Sequence, residues 1–230
     1  MQLKTLKQLL QKYKRYLARP EAEDNLHIWV AQRHFQDHWD LDAPDLAAMY
    51  DESLYNRHTK RLWKRENYEP KRVMLELIRL EPDFARQMFA DLFNEEYSVE
   101  NRVGRFVFYS DELLRGYKEA NPRSIENNHY HDDYWMVFLY LAFRYPDRYT
   151  LYDFDAFRNV LEQLKAPNLP RTHDLERFWK VSRVIHQFIV KDAELMALHE
   201  KRLQFAKAYV EGSWLIVYDF LRFAARRSDL

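Results

Sequence analysis

Leu3, Leu6, Leu10, Tyr13 and Leu17 recur at spacings of three and four, so one side of the opening segment is apolar and helical. The same spacing continues along the chain. Leu26 to Trp39 predicts a second helix, with Phe35 and Trp39 one turn apart on one face and Trp39 expected as a buried core anchor. Asp42-Ala43-Pro44-Asp45 predicts a helix start, with Asp42 as cap and Asp45 facing the positive helix end. Arg72 to Leu80, Asp83 to Phe93 and Val99 to Lys118 follow as helices. Asp133 to Tyr145 is the most apolar stretch and the expected centre of the core. Thr150-Leu151-Tyr152-Asp153 reads as a capping box opening a helix toward Leu164. Leu175, Phe178, Ser182, Ile185 and Ile189 line another, and Leu195 to Tyr209 and Trp214 to Arg226 complete the set.

Strict alternation of apolar and polar positions is scarce, and Asn-Gly or Asp-Gly hairpin turns are absent. The fold class expected is all-α: a multi-helix bundle of about nine to eleven helices without a substantial sheet. Pro167 and Pro170 bracket the clearest internal break. The expected organisation is a main helical domain over 1–164, a linker over 165–171, and C-terminal helices over 172–230 packed on the same core.

Composition narrows the function classes. The 36 basic and 36 acidic residues balance, so no overall field steers the 230-residue chain toward nucleic acid or membrane. Any electrostatic function must come from local patches. The chain has no Cys, which excludes disulfides and thiolate metal sites and fits a reducing, cytoplasmic setting. The segment 1–19 is basic, but its leucines are spaced rather than contiguous, unlike a secretion signal. The three glycines, Gly104, Gly116 and Gly212, lie far apart, so neither GxGxxG nor GxxxxGK[ST] can be written. No membrane partner and no cofactor is expected.

Four clusters could carry chemistry. His129 or His131, then His173-Asp174, then Asp219 could hold a divalent metal in an all-helical HD-type phosphohydrolase. The plainer reading gives Thr172 and Asp174 to a helix start. Pro44-Asp45 with Glu69-Pro70-Lys71 formally matches a PD…(D/E)xK nuclease, but Pro70 would break the strand that motif needs. Asn127 to Asp133 is a polar cluster suited to bonding local backbone and capping the next helix. Arg57 to Arg72 carries a net +5 with Trp63 and Tyr68 interleaved, next to six acids and no base between Asp37 and Glu52. A helix would gather Lys60, Arg61, Lys64 and Arg65 on one side, and these are the expected nucleic-acid contacts. The other concentration of positive charge is the first helix, with Lys4, Lys7, Lys12, Lys14 and Arg15. No residue is assigned a catalytic or metal-binding role.

The block from His34 to Asp45, HFQDHWDLDAPD, resembles a segment in the N-terminal regions of McrB-like proteins of modification-dependent restriction systems. Asn67 to Lys71, Asn128-His129-Tyr130 and Tyr140 to Pro146 look like later blocks of the same regions, and the resemblance runs from Leu26 to Phe223. In that family a helical region precedes an AAA-type GTPase domain, which works with a separate nuclease subunit. The resemblance implies the front module alone: a non-enzymatic recognition or adaptor unit of a prokaryotic defence system. Its partners would be DNA, or an AAA-type GTPase or nuclease subunit.

Overall fold

Side chains at the helix starts set the architecture. Asp45, Ser98, Asp153, Asp174 and Asp192 each accept a bond from the backbone N–H three residues on, at 2.9–3.3 Å. Each satisfies one of the amides that a first helical turn leaves unpaired. Pro70 and Pro82 begin two further helices, where a missing N–H costs nothing. The computed structural model describes residues 2–226 except 24, 56–59, 64–67, 132 and 210, and only the backbone at Glu23, Lys60, Arg61 and Phe205.

The described residues are all-helical, with no strand or sheet. In chain order the helices are α1 (Leu3–Leu17), α2 (His27–His38), α3 (Leu46–Ser53), α4 (Lys60–Trp63), α5 (Pro70–Leu80), α6 (Pro82–Phe93), α7 (Val99–Ala120), α8 (Trp135–Arg144), α9 (Phe154–Gln163), α10 (Leu175–Ile189), α11 (Ala193–Phe205) and α12 (Leu215–Ala225). A 3-10 turn, Pro20–Glu23, lies between α1 and α2. Eleven of these helices have eight residues or more, and α4 is a single turn.

Two caps differ from the expected ones. Asp45 rather than Asp42 caps α3, and Asp42 instead turns its N–H onto the Asp40 carboxylate. Asp153 rather than Thr150 opens α9, because the Thr150 hydroxyl is already used by the backbone N–H of Tyr218. The polar cluster before α8 bonds local backbone as expected: Asn128 accepts from the N–H of Tyr130, and Asp133 from that of Trp135.

Contacts divide the chain into two units, 1–30 with 145–230, and 31–144. The expected linker 165–171 lies inside the first unit, between α9 and α10, and is not where the contacts divide. In the first unit α12 packs against α9, α1 and α10, and α1 also packs against α11. Leu215 to Leu221 of α12 are all buried, so this helix has no watered face over two turns. Its one charged member there, Asp219, must therefore find partners inside.

In the second unit α6 packs on α7, and α5 on α3, α6 and α7. Every residue of α8 from Trp135 to Phe143 is buried, as its apolar run predicts. The core is a lattice of rings: Phe89, Phe106 and Tyr140 meet with centroids 5.2–5.8 Å apart. Their hydroxyl-bearing neighbours are satisfied internally. Tyr50 and Tyr140 share a 2.6 Å bond, and Tyr130 donates to the carbonyl of Pro70 at 2.8 Å. Burial pushes all three phenols well above their usual range.

Trp39 belongs to this ring cluster but is not sealed within it. It stacks on Phe35 at 4.6 Å and meets Phe89 and Phe93 edge-on, yet stays partly exposed beyond the end of α2. Trp39→Ala is therefore expected to cost about 2–3 kcal/mol rather than the 3–5 of a fully enclosed aromatic. Urea unfolding of the variant checks this, and a loss beyond about 4 kcal/mol would show that the exposed edge contributes nothing to the difference.

Candidate nucleic-acid interface

Helix α1 separates its faces cleanly. Leu6, Leu9, Leu10, Tyr13 and Leu17 are buried. Lys4, Lys7, Gln8, Gln11, Lys12 and Arg15 are exposed and fall on the opposite side at helical spacing. They line an open groove, flanked by Gln163 of α9. No acid lies on that face, and among the described residues no ion pair involves Lys4, Lys7, Lys12 or Arg15. Lys14, at the edge of the strip, is held apart by Asp192 and Glu194 at 3.0 and 2.9 Å, whose carboxylates raise its pKa.

The start of the strip runs against the helix dipole, whereas Arg15 in the last turn is favoured by it. The first turn of α1 holds a lysine and no acid, although acids there would be favoured by about 0.3–1 kcal/mol. Helix stability alone does not account for Lys4. The same dipole adds its positive end to the strip, which suits an anionic ligand. From Lys4 to Arg15 the strip is about 16 Å long at about 1.5 Å per residue, the reach of several phosphates along a nucleic-acid backbone.

Behind the strip a buried polar network fixes α1. Arg202 and Asp219 form an ion pair of 2.7 Å with side chains 4% and 3% exposed. Tyr13, on the inner face of α1, donates to the same carboxylate oxygen at 2.7 Å, and Asn25 donates to the other at 3.2 Å. Arg202 also donates to the Ala22 carbonyl at 2.7 Å and to Nδ1 of His199. Its guanidinium lies 5.2 Å from the Trp29 ring, within cation–π range. Burial, then the neighbouring carboxylate, keeps the Tyr13 phenol protonated, so it stays a donor. A pocket of about 340 Å³ opens beside Asp219, with Arg19, Arg222 and stacked Tyr16 and Phe223 in its walls. That volume is at the small end of ligand sites, which run from about 300 to 1,000 Å³.

His199 gives this network a pH dependence. Burial first, and then the charge of Arg202, hold its pKa well below the usual value. The folded state keeps the ring neutral, with Nδ1 accepting, whereas the unfolded chain takes up a proton below about pH 6.5. The stability is thus full above that pH and falls beneath it by up to about 1.4 kcal/mol per pH unit until the folded pKa is reached. Urea midpoints at pH 7.5 and 5.5 should differ in the parent, and His199→Gln should shrink that difference. Equal pH sensitivity in both proteins would remove His199 as its source.

The four residues expected to touch nucleic acid, Lys60, Arg61, Lys64 and Arg65, lie outside the described residues, save for the backbone of Lys60 and Arg61 in α4. Of the same basic block, Lys71 is paired with Asp51 at 2.6 Å and Arg72 with Glu69 and Glu126. Lys71 and Asp51 thus join one member of the basic block to one of the acidic block. The histidines of the phosphohydrolase reading have separate partners. His131 bonds Asp111 at 2.8 Å, His129 meets the ring of Tyr68, and His173 bonds the Tyr152 hydroxyl at 2.9 Å. Asp219 is held by Arg202. Both halves of the nuclease-like pattern start helices, Asp45 as a cap and Pro70 in the first turn.

The basic side of α1 is legible in the sequence, second to the 57–72 block in number of basic residues, whereas the Arg202–Asp219 pair is not. His199 and Arg202 stand one turn apart on α11, and Asp219 is the one charge in the apolar run of α12; these are the local traces of that network. The chain matches no family model, no curated protein and no solved structure.

Proposed function

We propose that this chain is a non-enzymatic recognition module of a McrBC-like restriction system, engaging duplex DNA through the exposed face of α1. The observation that carries the DNA contact is the exposed strip of Lys4, Lys7, Lys12 and Arg15, free of acids and, at Lys4, opposed to the helix dipole. The resemblance of His34 to Asp45 and the later blocks supports the assignment to a restriction system. In that setting the module acts with an AAA-type GTPase or a nuclease subunit, and its own task is binding rather than bond cleavage. The test is retention of duplex DNA by the full chain at graded salt. Four phosphate contacts give a slope of log Kobs against log salt of about −3.6. No retention at low salt, or retention indifferent to salt, would overturn the reading.

A further inference from the structure

His34 and His38 stand one turn apart on α2, with ring centroids 4.1 Å apart and planes tilted by 33°. Glu52, in the last turn of α3, faces them. Each of the three offers a ligand atom, and those atoms lie within 4.8 Å of one another. We propose that His34, His38 and Glu52 form a divalent metal site that takes zinc and clasps the end of α2 to the end of α3.

The hydrogen bonds around the two rings support this. Nδ1 of His38 lies 2.8 Å from the backbone carbonyl of His34. A carbonyl only accepts, so that nitrogen donates, and Nε2 is the nitrogen left to face a metal. Nε2 lies 3.8 Å from Glu52 Oε1. Nε2 of His34 lies 2.7 Å from the carbonyl of Glu52 and must donate to it, which leaves Nδ1 of His34 as the ligand nitrogen. Each imidazole thus spends one N–H on a backbone carbonyl, the outer-shell arrangement that orients metal-bound histidines and fixes their tautomer.

The donor set is two imidazoles and one carboxylate. Imidazole suits zinc, copper, iron and nickel, and zinc imposes no geometry of its own through its d electrons. With bonds of about 2.0–2.2 Å, tetrahedral donors sit about 3.3–3.6 Å apart, so closing the cluster draws these side chains together. His38 and Glu52 are exposed and His34 partly so, which leaves room for that movement and for water in the fourth position. Asp51, the adjacent carboxylate, is engaged by Lys71. The site is independent of the DNA-binding face, because no residue of α1 takes part.

Equilibrium dialysis of the full chain against micromolar zinc chloride, with the metal counted by elemental analysis, should give one zinc per chain. His38→Ala and Glu52→Gln should each weaken it by at least about tenfold, since outer-shell losses alone cost about 10–100-fold. His131→Ala, whose ring is bonded to Asp111, should leave it unchanged. Zinc should raise the melting temperature of the parent and not that of the His38 or Glu52 variant. Both substitutions are exposed, and circular dichroism confirms that the variants are folded. Zinc binding that survives both substitutions, or none by the parent, would overturn the site.

Discussion

Arg202→Met, with Asp219 left in place, lowers the stability of the protein by about 3–5 kcal/mol. The loss is large because the carboxylate stays buried at 2% exposure among the apolar residues of α12. Tyr13 and Asn25 still donate to it, but two neutral donors do not replace a guanidinium in a medium of low dielectric. The second substitution is the informative one. An isolated buried pair exchanged for apolar side chains is often neutral or stabilising by about 1–4 kcal/mol. Arg202→Met with Asp219→Leu recovers less than that here. The pair also satisfies Tyr13, Asn25 and the Ala22 carbonyl, and each polar group left buried without a partner costs about 1–3 kcal/mol. The double variant is expected between the single variant and the parent. Urea unfolding followed by tryptophan fluorescence measures all three. A single-variant loss under about 1 kcal/mol would mean that water reaches the carboxylate, and full recovery in the double variant would mean that the hydroxyl, amide and carbonyl are not bound to the pair.

The helices were legible because periodicity is local. Leu175, Phe178, Ser182, Ile185 and Ile189 repeat at three and four, and all five are buried on α10. The apolar run before Tyr145 became a helix with no exposed residue from Trp135 to Phe143. Caps were half legible. The candidate acids stood at the right places, but which of two becomes the cap depends on what else competes for it. Thr150 was claimed by the N–H of Tyr218, 68 residues away. The division between units was not legible, since 165–171 looks like a linker in composition yet lies within one unit. The candidate site shows the same limit. The basic face of α1 is periodic and readable, whereas Tyr13 and Asp219 meet across 206 residues and no local spacing announces them. His34 and His38 are one helical turn apart in a block noted only for its resemblance. Their partner Glu52 is 14 residues on in another helix, so only the fold brings the three donors together.

Reversing Lys4, Lys7 and Lys12 to Glu abolishes most of the affinity for duplex DNA while leaving the protein folded. Each phosphate contact contributes about 0.9 to the salt slope, so the parent value of about −3.6 falls to about −0.9, carried by Arg15 alone. At fixed low salt the loss is steeper than the slope implies, because the three carboxylates also repel the backbone. The stability moves the other way. Lys4 lies in the first turn of α1, where an acid is favoured over a base by about 0.3–1 kcal/mol, so the melting temperature holds or rises. Lost binding in a protein at least as stable as its parent cannot be assigned to unfolding. Reversal of Lys60, Arg61 and Lys64 is the matched control, with the same change in net charge placed on the block that the sequence ranked first. If α1 is the interface, that control keeps a slope near the parent's and loses affinity only through the change in overall charge. If the slope flattens in the control and stays near −3.6 in the α1 variant, the contact belongs to the 60–65 block and the exposed face of α1 is a solvated surface.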